Sequence, residues 1–467
     1  MSEGSHQAPP HTGGQQPDGA ATPRKSGGSF SGAIAVMRQK SFRDFTIGST
    51  SASLGVWLQR VATGWLTWEL TETPSWLGII AFTDLFIMIL VAPLGGVIAD
   101  RINRLMMLHV AQIIVCVQAA ITAVIYGMGW MTIEVLLALT VLSGIGHGAH
   151  GAARLSLIPN LVPKALLTQA IAVNALCFNT ARFLGPALAG LVIAFGSLTW
   201  AFAFNAATHI LFSLLLLRVR VATPDAPRAA KAGVFAELVE GCRYAAVHPG
   251  IGPILVMMLL TAFTIRALPD LLPAFAATAF DGGAQELAWL TSAMGLGAAL
   301  GGLKMAHLRG IEGLTRGVTW NVAFLSLVIA ALALSPNLWL GMVAACGCGF
   351  ALTINGTGTQ TLIQSSVDGA LRGRVMGVFT LIYQGAPAIG ALSLGVIADH
   401  VGVRWPFLGG ALVCLLVFGW MMRRAHRMSE ALEVGRSLQR GHGHHAAPAE
   451  SATATGAAPA PKATSGS

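Results

Sequence analysis

Several ionisable residues sit deep inside long apolar stretches of this chain: Arg60, Asp84, His147, His150, Arg182, Arg266 and Asp270. In a bilayer each such group costs several kcal/mol near the centre, so it is expected to bind a charged substrate group, carry a proton or neutralise a neighbour. Arg60 lies about eleven residues, and Asp84 about nine, from the same end of two consecutive apolar stretches; at ~1.5 Å rise per residue their depths agree within roughly 3 Å. This spacing predicts an Arg60–Asp84 ion pair, either functional or merely self-neutralising. Asp270 follows Arg266 by one helical turn, which predicts a second pair along one helix face, with Pro269 opening the helix between them. His147, His150 and Arg154 recur at i, i+3 and i+7 among glycines and alanines. Histidine titrates near physiological pH, so this face has three readings: a proton or substrate role, ordinary packing and hydrogen bonding, or a metal site. The last would need more ligands, and no metal is expected.

The elements that position these residues follow from composition. The chain has 467 residues, 54% hydrophobic and 10% charged, with a mean hydropathy of +0.66. A soluble domain carries roughly 25% charged residues, so an all-α, multi-pass membrane protein is expected. The net charge of +9 is spread over short connections and tails, which excludes a nucleic-acid partner. Five of the six cysteines lie in apolar stretches and form no disulfide framework; Cys346 and Cys348 read as small packing residues rather than metal ligands. No phosphate-binding loop, nucleophile constellation or cofactor motif is present, so neither enzyme activity nor a cofactor is expected.

Twelve spans are expected near 44–71, 75–99, 105–127, 132–160, 165–195, 199–219, 250–279, 285–308, 312–334, 337–365, 370–399 and 404–424. Alternate connections carry Arg101 and Arg104; Lys164; Arg218, Arg220, Arg228, Lys231 and Arg243; Arg309 and Arg316; Arg372 and Arg374. The opposite connections carry Glu69 and Glu72, Asp281 and Glu286, and Arg404. The positive-inside rule then puts both termini in the cytoplasm. Residues 1–42 and 425–467 are expected to be disordered cytoplasmic tails; the second includes Gly441-His442-Gly443-His444-His445, a solvated run that could take metal adventitiously. The connection 220–249 is a cytoplasmic linker in which Val234–Cys242 reads as a short amphipathic helix. It separates residues 43–219 from 250–424, six spans on each side. The two halves repeat: Ile158 and Ile363, and Ala165 and Ala370, stand 205 residues apart, and Arg60 and Arg266 stand 206 apart. Such repeats place a substrate site at their interface.

The junction after the second span reads Gly95-Gly96-Val97-Ile98-Ala99-Asp100-Arg101-Ile102-Asn103-Arg104. Its Gly-x-x-x-Asp-Arg-x-x-Arg spacing, through Gly96, Asp100, Arg101 and Arg104, resembles the loop signature of the major facilitator superfamily. Asn103 replaces a glycine there, and asparagine also tolerates left-handed backbone. Leu58-Gln59-Arg60-Val61-Ala62-Thr63-Gly64-Trp65, Asn179-Thr180-Ala181-Arg182-Phe183-Leu184-Gly185-Pro186 and Leu371-Arg372-Gly373-Arg374-Val375-Met376-Gly377 are similar to the branch that holds the enterobactin exporter and secretion-effector-like proteins. The resemblance covers residues 40 to 425.

It implies twelve helices in two pseudo-symmetric six-helix halves, a gating role for the Gly96–Arg104 loop, and an inward-facing Arg182. Gly185-Pro186-x-x-Ala189-Gly190 resembles the superfamily's antiporter signature, and Gly297-x-x-x-Gly301-Gly302 offers a matching flat face for a sliding seam; plain static packing is the other reading. Trp57, Trp65 and Trp68 are candidate substrate contacts, the last two also candidates for an interfacial belt. The function expected is proton-driven export of a small amphiphilic organic molecule, siderophore or drug-like, across a bacterial inner membrane. Import in the same fold and a non-transporting receptor or scaffold are the alternatives. Small-molecule substrate, protons and lipid are the expected partners; oligomeric state stays open.

Overall fold

The computed structural model describes residues 29–99, 103–195, 197–221, 234–308, 310–367 and 369–434. The described part is helical. The first group comprises α1 (Ser29–Met37), α2 (Lys40–Thr71), α3 (Pro74–Ala99), α4 (Arg104–Gly127), α5 (Ile133–Leu157), α6 (Leu167–Phe195) and α7 (Leu198–Leu216). A linker helix, α8 (Val234–Val247), leads to α9 (Ile251–Thr264), α10 (Leu268–Phe280), α11 (Ala284–His307), α12 (Leu314–Ala333), α13 (Leu338–Ser366), α14 (Gly369–Val401), α15 (Arg404–Met422) and α16 (Ala425–Ser429).

Ten stretches among the described residues are long and apolar enough to cross a membrane, with α9 and α10 counted as one. The other two expected spans, α2 and α11, have 32 and 24 residues but are more polar: α2 carries Arg43, Asp44, Gln59, Arg60 and Glu69, and α11 carries Glu286 and Lys304. Both pack among the apolar spans, α2 on α6 and α7 and α11 on α6 and α13. Protein-covered faces tolerate such residues; lipid-facing ones do not.

Helices α2–α7 pack on one another, as do α9–α15, and the groups meet where α3 lies on α14 and α6 on α11. Several of the close approaches across this junction fall on the Glu72/Asp281 face of the bundle. A Cβ on Gly78 would collide with the Ala391–Leu392 backbone, one on Gly395 would sit 2.7 Å from the Pro74 oxygen, and one on Gly190 would collide with Ala288. The Ser75 amide donates to Asp399 at 3.0 Å on the same face.

Several expectations need correction. The first tail does not run to residue 42: α1 and the start of α2 are helical, with Val36, Phe42 and Phe45 fully buried. The second tail does not begin at 425. Met428 and Leu432 are buried, and the Glu433 carboxylate accepts from the Gly313 and Thr315 amides at 2.8 Å, capping α12. Two buried apolar side chains and a cap are enough to dock this segment. The seventh span is two helices broken at Ile265–Ala267: Pro269, in the first turn of α10, has no N–H to give the Ile265 carbonyl, which accepts from the Leu268 amide at 3.0 Å in a tighter turn. Asn103 is extended, not left-handed, at φ −61°; its side chain accepts from the Leu105 amide at 2.9 Å and starts α4. Asp100, Arg101, the His442–His445 run, Arg228 and Lys231 lie outside the described residues. Gly96 falls in α3 and Arg104 opens α4.

Candidate functional site

Arg60 is placed by α2 facing the second helix group. Its Nη2 and Nε donate to Asp270 Oδ1 at 2.7 and 3.2 Å. The expected Arg60–Asp84 pair is therefore not the bond that forms. Depth along a helix cannot by itself choose between two carboxylates within reach of one guanidinium. The break before α10 brings Asp270 to Arg60, and Asp84 remains only within electrostatic reach. The Arg60 side chain is 40% exposed against 8% for Asp270. A guanidinium left partly uncovered keeps some of its hydration, which lowers the cost of holding it within a span.

The same choice overturns the expected Arg266–Asp270 pair. Arg266 sits in the broken turn between α9 and α10, off the regular spacing that would align it with Asp270. Its guanidinium instead lies 3.7 Å from the centroid of the Tyr383 ring on α14, a cation–π distance. Arg182 on α6 reaches towards the same tyrosine from the first group and lies 5.3 Å from the Trp57 ring. Trp57 also lies 5.7 Å from Arg60, so one indole contacts two guanidiniums.

Asp84 on α3 faces α5. Its Oδ1 is 3.9 Å from His147 Nδ1, which is 3.3 Å from the Ser143 hydroxyl. His150 does not share this contact: its ring meets Phe212 edge-on at 6.3 Å, and its Nε2 is buried without a partner. Arg154 donates to Asn174 at 2.9 Å and lies over Phe178 at 5.4 Å. The three members of the expected i, i+3, i+7 face thus go to three different partners. No group of three or more potential metal ligands occurs among the described residues.

Sequence reasoning looked for charges and missed the neutral polar residues beside them. Asn205 on α7 donates to Gln59 at 2.5 Å, Gln59 to Gln118 on α4 at 3.0 Å, and Gln118 to Thr122 at 3.0 Å. Gln112 on α4 bonds His209 on α7. An amide inside an apolar span is also costly without a partner, and that was the available signal. Tyr383, one of three tyrosines in the chain, carried none.

The expected sliding seam is also redistributed. Of its glycines only Gly190 faces the other helix group, at Ala288. Gly185 packs on Trp57 and Leu54 of α2, and Gly297 and Gly301 pack on Cys346 and Phe350 of α13, inside the second group. Pro186 lies within α6.

A model of the family described as transmembrane secretion effector matches residues 31–447. The staphyloferrin A transporter of Staphylococcus aureus (strain NCTC 8325 / PS 47) is 23% identical over 381 residues, covering 79% of this chain and 93% of that protein. The enterobactin exporter EntS of Escherichia coli O1:K1 / APEC is 28% identical over 346 residues, covering 70% and 76%. Among solved structures, a bacterial homolog of the human lysosomal transporter Spinster, in an inward-facing and unoccupied conformation, superposes with a TM-score of 0.64 at 14% identity, covering 86% of this chain and 98% of that one. That likeness shows the fold.

Proposed function

The chain belongs to the transmembrane secretion effector family of major facilitator transporters, and from that premise we propose that it exports a small amphiphilic organic molecule in exchange for protons. It is a multi-pass membrane protein and not an enzyme. Export is supported by two relatives that handle siderophores: one is named an exporter, the other a transporter. The observation that carries the reading is the Arg60–Asp270 ion pair, which joins the two helix groups within electrostatic reach of Asp84 and its partner His147.

Alternating access needs a contact between the halves that can be broken and remade. Arg60 has two carboxylates within reach, one in each half. Asp84 and His147 form the proton-exchanging pair of the first half. A proton arriving at Asp84 removes its pull on Arg60 and leaves Asp270 as the only counter-ion. Proton release restores the competition and loosens the junction. Trp57, between Arg60 and Arg182, presents an aromatic face to substrate.

In this reading both termini and the α8 linker face the cytoplasm of a bacterial cell, and the protein lies in the inner membrane. Cysteines introduced at Glu72 and Asp281 in a cysteine-free background should react with an impermeant maleimide from outside, and those at Lys164 and Arg316 should not. Everted membrane vesicles with a substrate panel test direction. An exporter accumulates substrate when the lumen is acidic and releases luminal protons as it does so. Accumulation of the opposite sense, or none with any substrate that binds, overturns the proposal.

A further inference from the structure

Arg266 is a half-buried cation with no carboxylate acting on it among the described residues. The acid one turn away, Asp270, is committed to Arg60. The electrostatic neighbours that act on Arg266 are Tyr383, Arg182 and Arg60, and none of them is a carboxylate. Arg182 approaches the same tyrosine, so two guanidiniums converge on one phenol where a negative charge would relieve both.

The space beside Arg266 is built for an acceptor. A cavity of about 10 Å³ is lined by Arg266, Asn355, Tyr383, Thr261 and neighbouring apolar groups. Arg266 Nε and Asn355 Nδ2 are both buried and unpartnered. Both are donors, and a buried donor left unpaired costs about 1–3 kcal/mol. The Thr261 hydroxyl is turned away, donating to the Met257 carbonyl at 2.9 Å. The tyrosine ring is held between Arg266, Phe379 at 5.5 Å and Gly356, where a Cβ would come within 2.9 Å of it. Room for one oxygen, flanked by two fixed donors and faced by cations, suits the tip of an oxyanion and not a whole molecule.

We propose that Arg266, Asn355 and Tyr383, with Arg182 from the opposite half, form an anion subsite that takes a carboxylate or comparable oxyanion of the transported molecule. This rests on the transport reading above and adds to it a charge class for the substrate and a place where that charge binds. Because Arg182 and Tyr383 belong to different halves, an anion held there bridges them.

The test uses the purified full chain in nanodiscs of zwitterionic lipid. Salicylate and citrate serve as anionic probes, salicylamide as the neutral isostere of the first, and potassium chloride as the halide control at equal ionic strength. Salicylate and citrate should raise the melting temperature, and salicylamide should not. Arg266→Gln should weaken salicylate binding about tenfold or more. Asn355→Leu keeps every positive charge and removes one donor; it should weaken binding as well, and it decides the matter if Arg266→Gln does not fold.

Equal stabilisation by salicylamide overturns the proposal. So does wild-type salicylate affinity in both variants. Stabilisation by chloride that matches salicylate and abolishes its effect assigns the cavity to a halide and also overturns it. The two readings fail separately. Anion-dependent stabilisation without vectorial movement in vesicles would sink export and leave the subsite. Vectorial transport unchanged in Arg266→Gln would sink the subsite and leave export.

Discussion

The two helix groups share a backbone plan and differ in what they bury. Shifting the first by 205 residues sets His147 against Leu352, His150 against Asn355, Asn205 against Gly410 and His209 against Cys414; a shift of 206 sets Asp84 against Leu290 and Gln112 against Val318. The first interior is a chain of amides and imidazoles, with Gln59, Gln118, Asn205, Gln112 and His209 bonded across α2, α4 and α7. The second is closed by aliphatic side chains, among them Val318, Val322, Leu325, Ile329 and Leu332, all fully buried. Its buried polar side chains are short hydroxyls and the amides of Asn321 and Asn355. They bond mainly to backbone carbonyls, as Asn321 does to Ala351 and Ser326 to Ala411. The charged Arg266 and Asp270 gather at the α9/α10 break. The first half thus buries titratable and amide side chains, while the second is largely apolar around a localised charged site. The Arg60–Asp270 bond lies where the two meet.

The largest effect should come from breaking that meeting point. Asp270→Asn should cut proton-driven transport about a hundredfold, or ~2.7 kcal/mol, by leaving Arg60 with a carboxylate on its own half only. Arg60→Gln should do likewise. In a double-mutant cycle scored on expression, the Arg60/Asp270 pair should show coupling of about 1–2 kcal/mol, and Arg60/Asp84 a smaller coupling of the kind a longer-range charge gives. The reverse pattern would return the ion pair to one half and erase the contrast drawn above.

Next comes the titratable half itself. Asp84→Asn should lower accumulation driven by a pH gradient about tenfold, while substrate counterflow without a gradient persists. A matching loss of both activities would make Asp84 structural, like its counterpart Leu290.

A smaller effect distinguishes the packing of the halves. Gly144 and Gly349 are equivalent by the 205-residue shift. A Cβ at Gly144 would stand 2.9 Å from the Asp84 carbonyl and the Ile87 side chain. At Gly349 it would drive into the Met294 carbonyl and come within 3.0 Å of the Ala298 amide, both backbone groups. Both sites meet a backbone carbonyl, but the overlap at Gly349 is far deeper than at Gly144, so Gly349→Ala should destabilise by roughly 1–3 kcal/mol and Gly144→Ala by less. Thermal melting in detergent measures the order, and equal losses would mean the two halves are equally tight.

The smallest effect lies at the entrance to the second half. His248 Nδ1 accepts from the Gly250 and Ile251 amides at 3.1 and 3.2 Å, and burial lowers its pKa below the ordinary value. The neutral ring is therefore the form the folded state keeps. Its contribution is intact above the unfolded pKa, about 6.5, and is lost as pH falls from there towards the lowered folded value. His248→Asn, which can still accept from both amides, should flatten a melting profile between about pH 6.5 and 5 by a few tenths of a kcal/mol. A slope that survives the change would place the titration elsewhere.

The residues themselves show how far sequence reading reached. The candidate charges were visible because each interrupts an apolar span, where chance rarely leaves one. Their partners were not. Rise per residue gives depth along an axis, but not which way a helix is turned or which neighbour lies beside it. Arg60 was matched to Asp84 at its own depth within its own half, and Arg266 to Asp270 by helical spacing that the break at Ile265–Ala267 removes. The glycine seam failed similarly: small residues mark a close approach, but Gly297 and Gly301 approach α13, not α6.

What the sequence alone determined was the solvent, the element type and the repeat. A chain this apolar must satisfy its backbone within helices inside a bilayer, and the duplicated spacing fixes two related groups of spans. The Asp-Arg loop and the first-helix pattern named the family. What only the tertiary structure decided was which side chains pair: Arg60 with Asp270 across the groups, Arg266 with Tyr383 and Asn205 with Gln59 within them. Those bonds join residues more than a hundred positions apart, and they depend on the rotation of each helix about its axis and on one broken turn. Local periodicity contains neither quantity. Both emerge when all the buried polar groups must find partners at once.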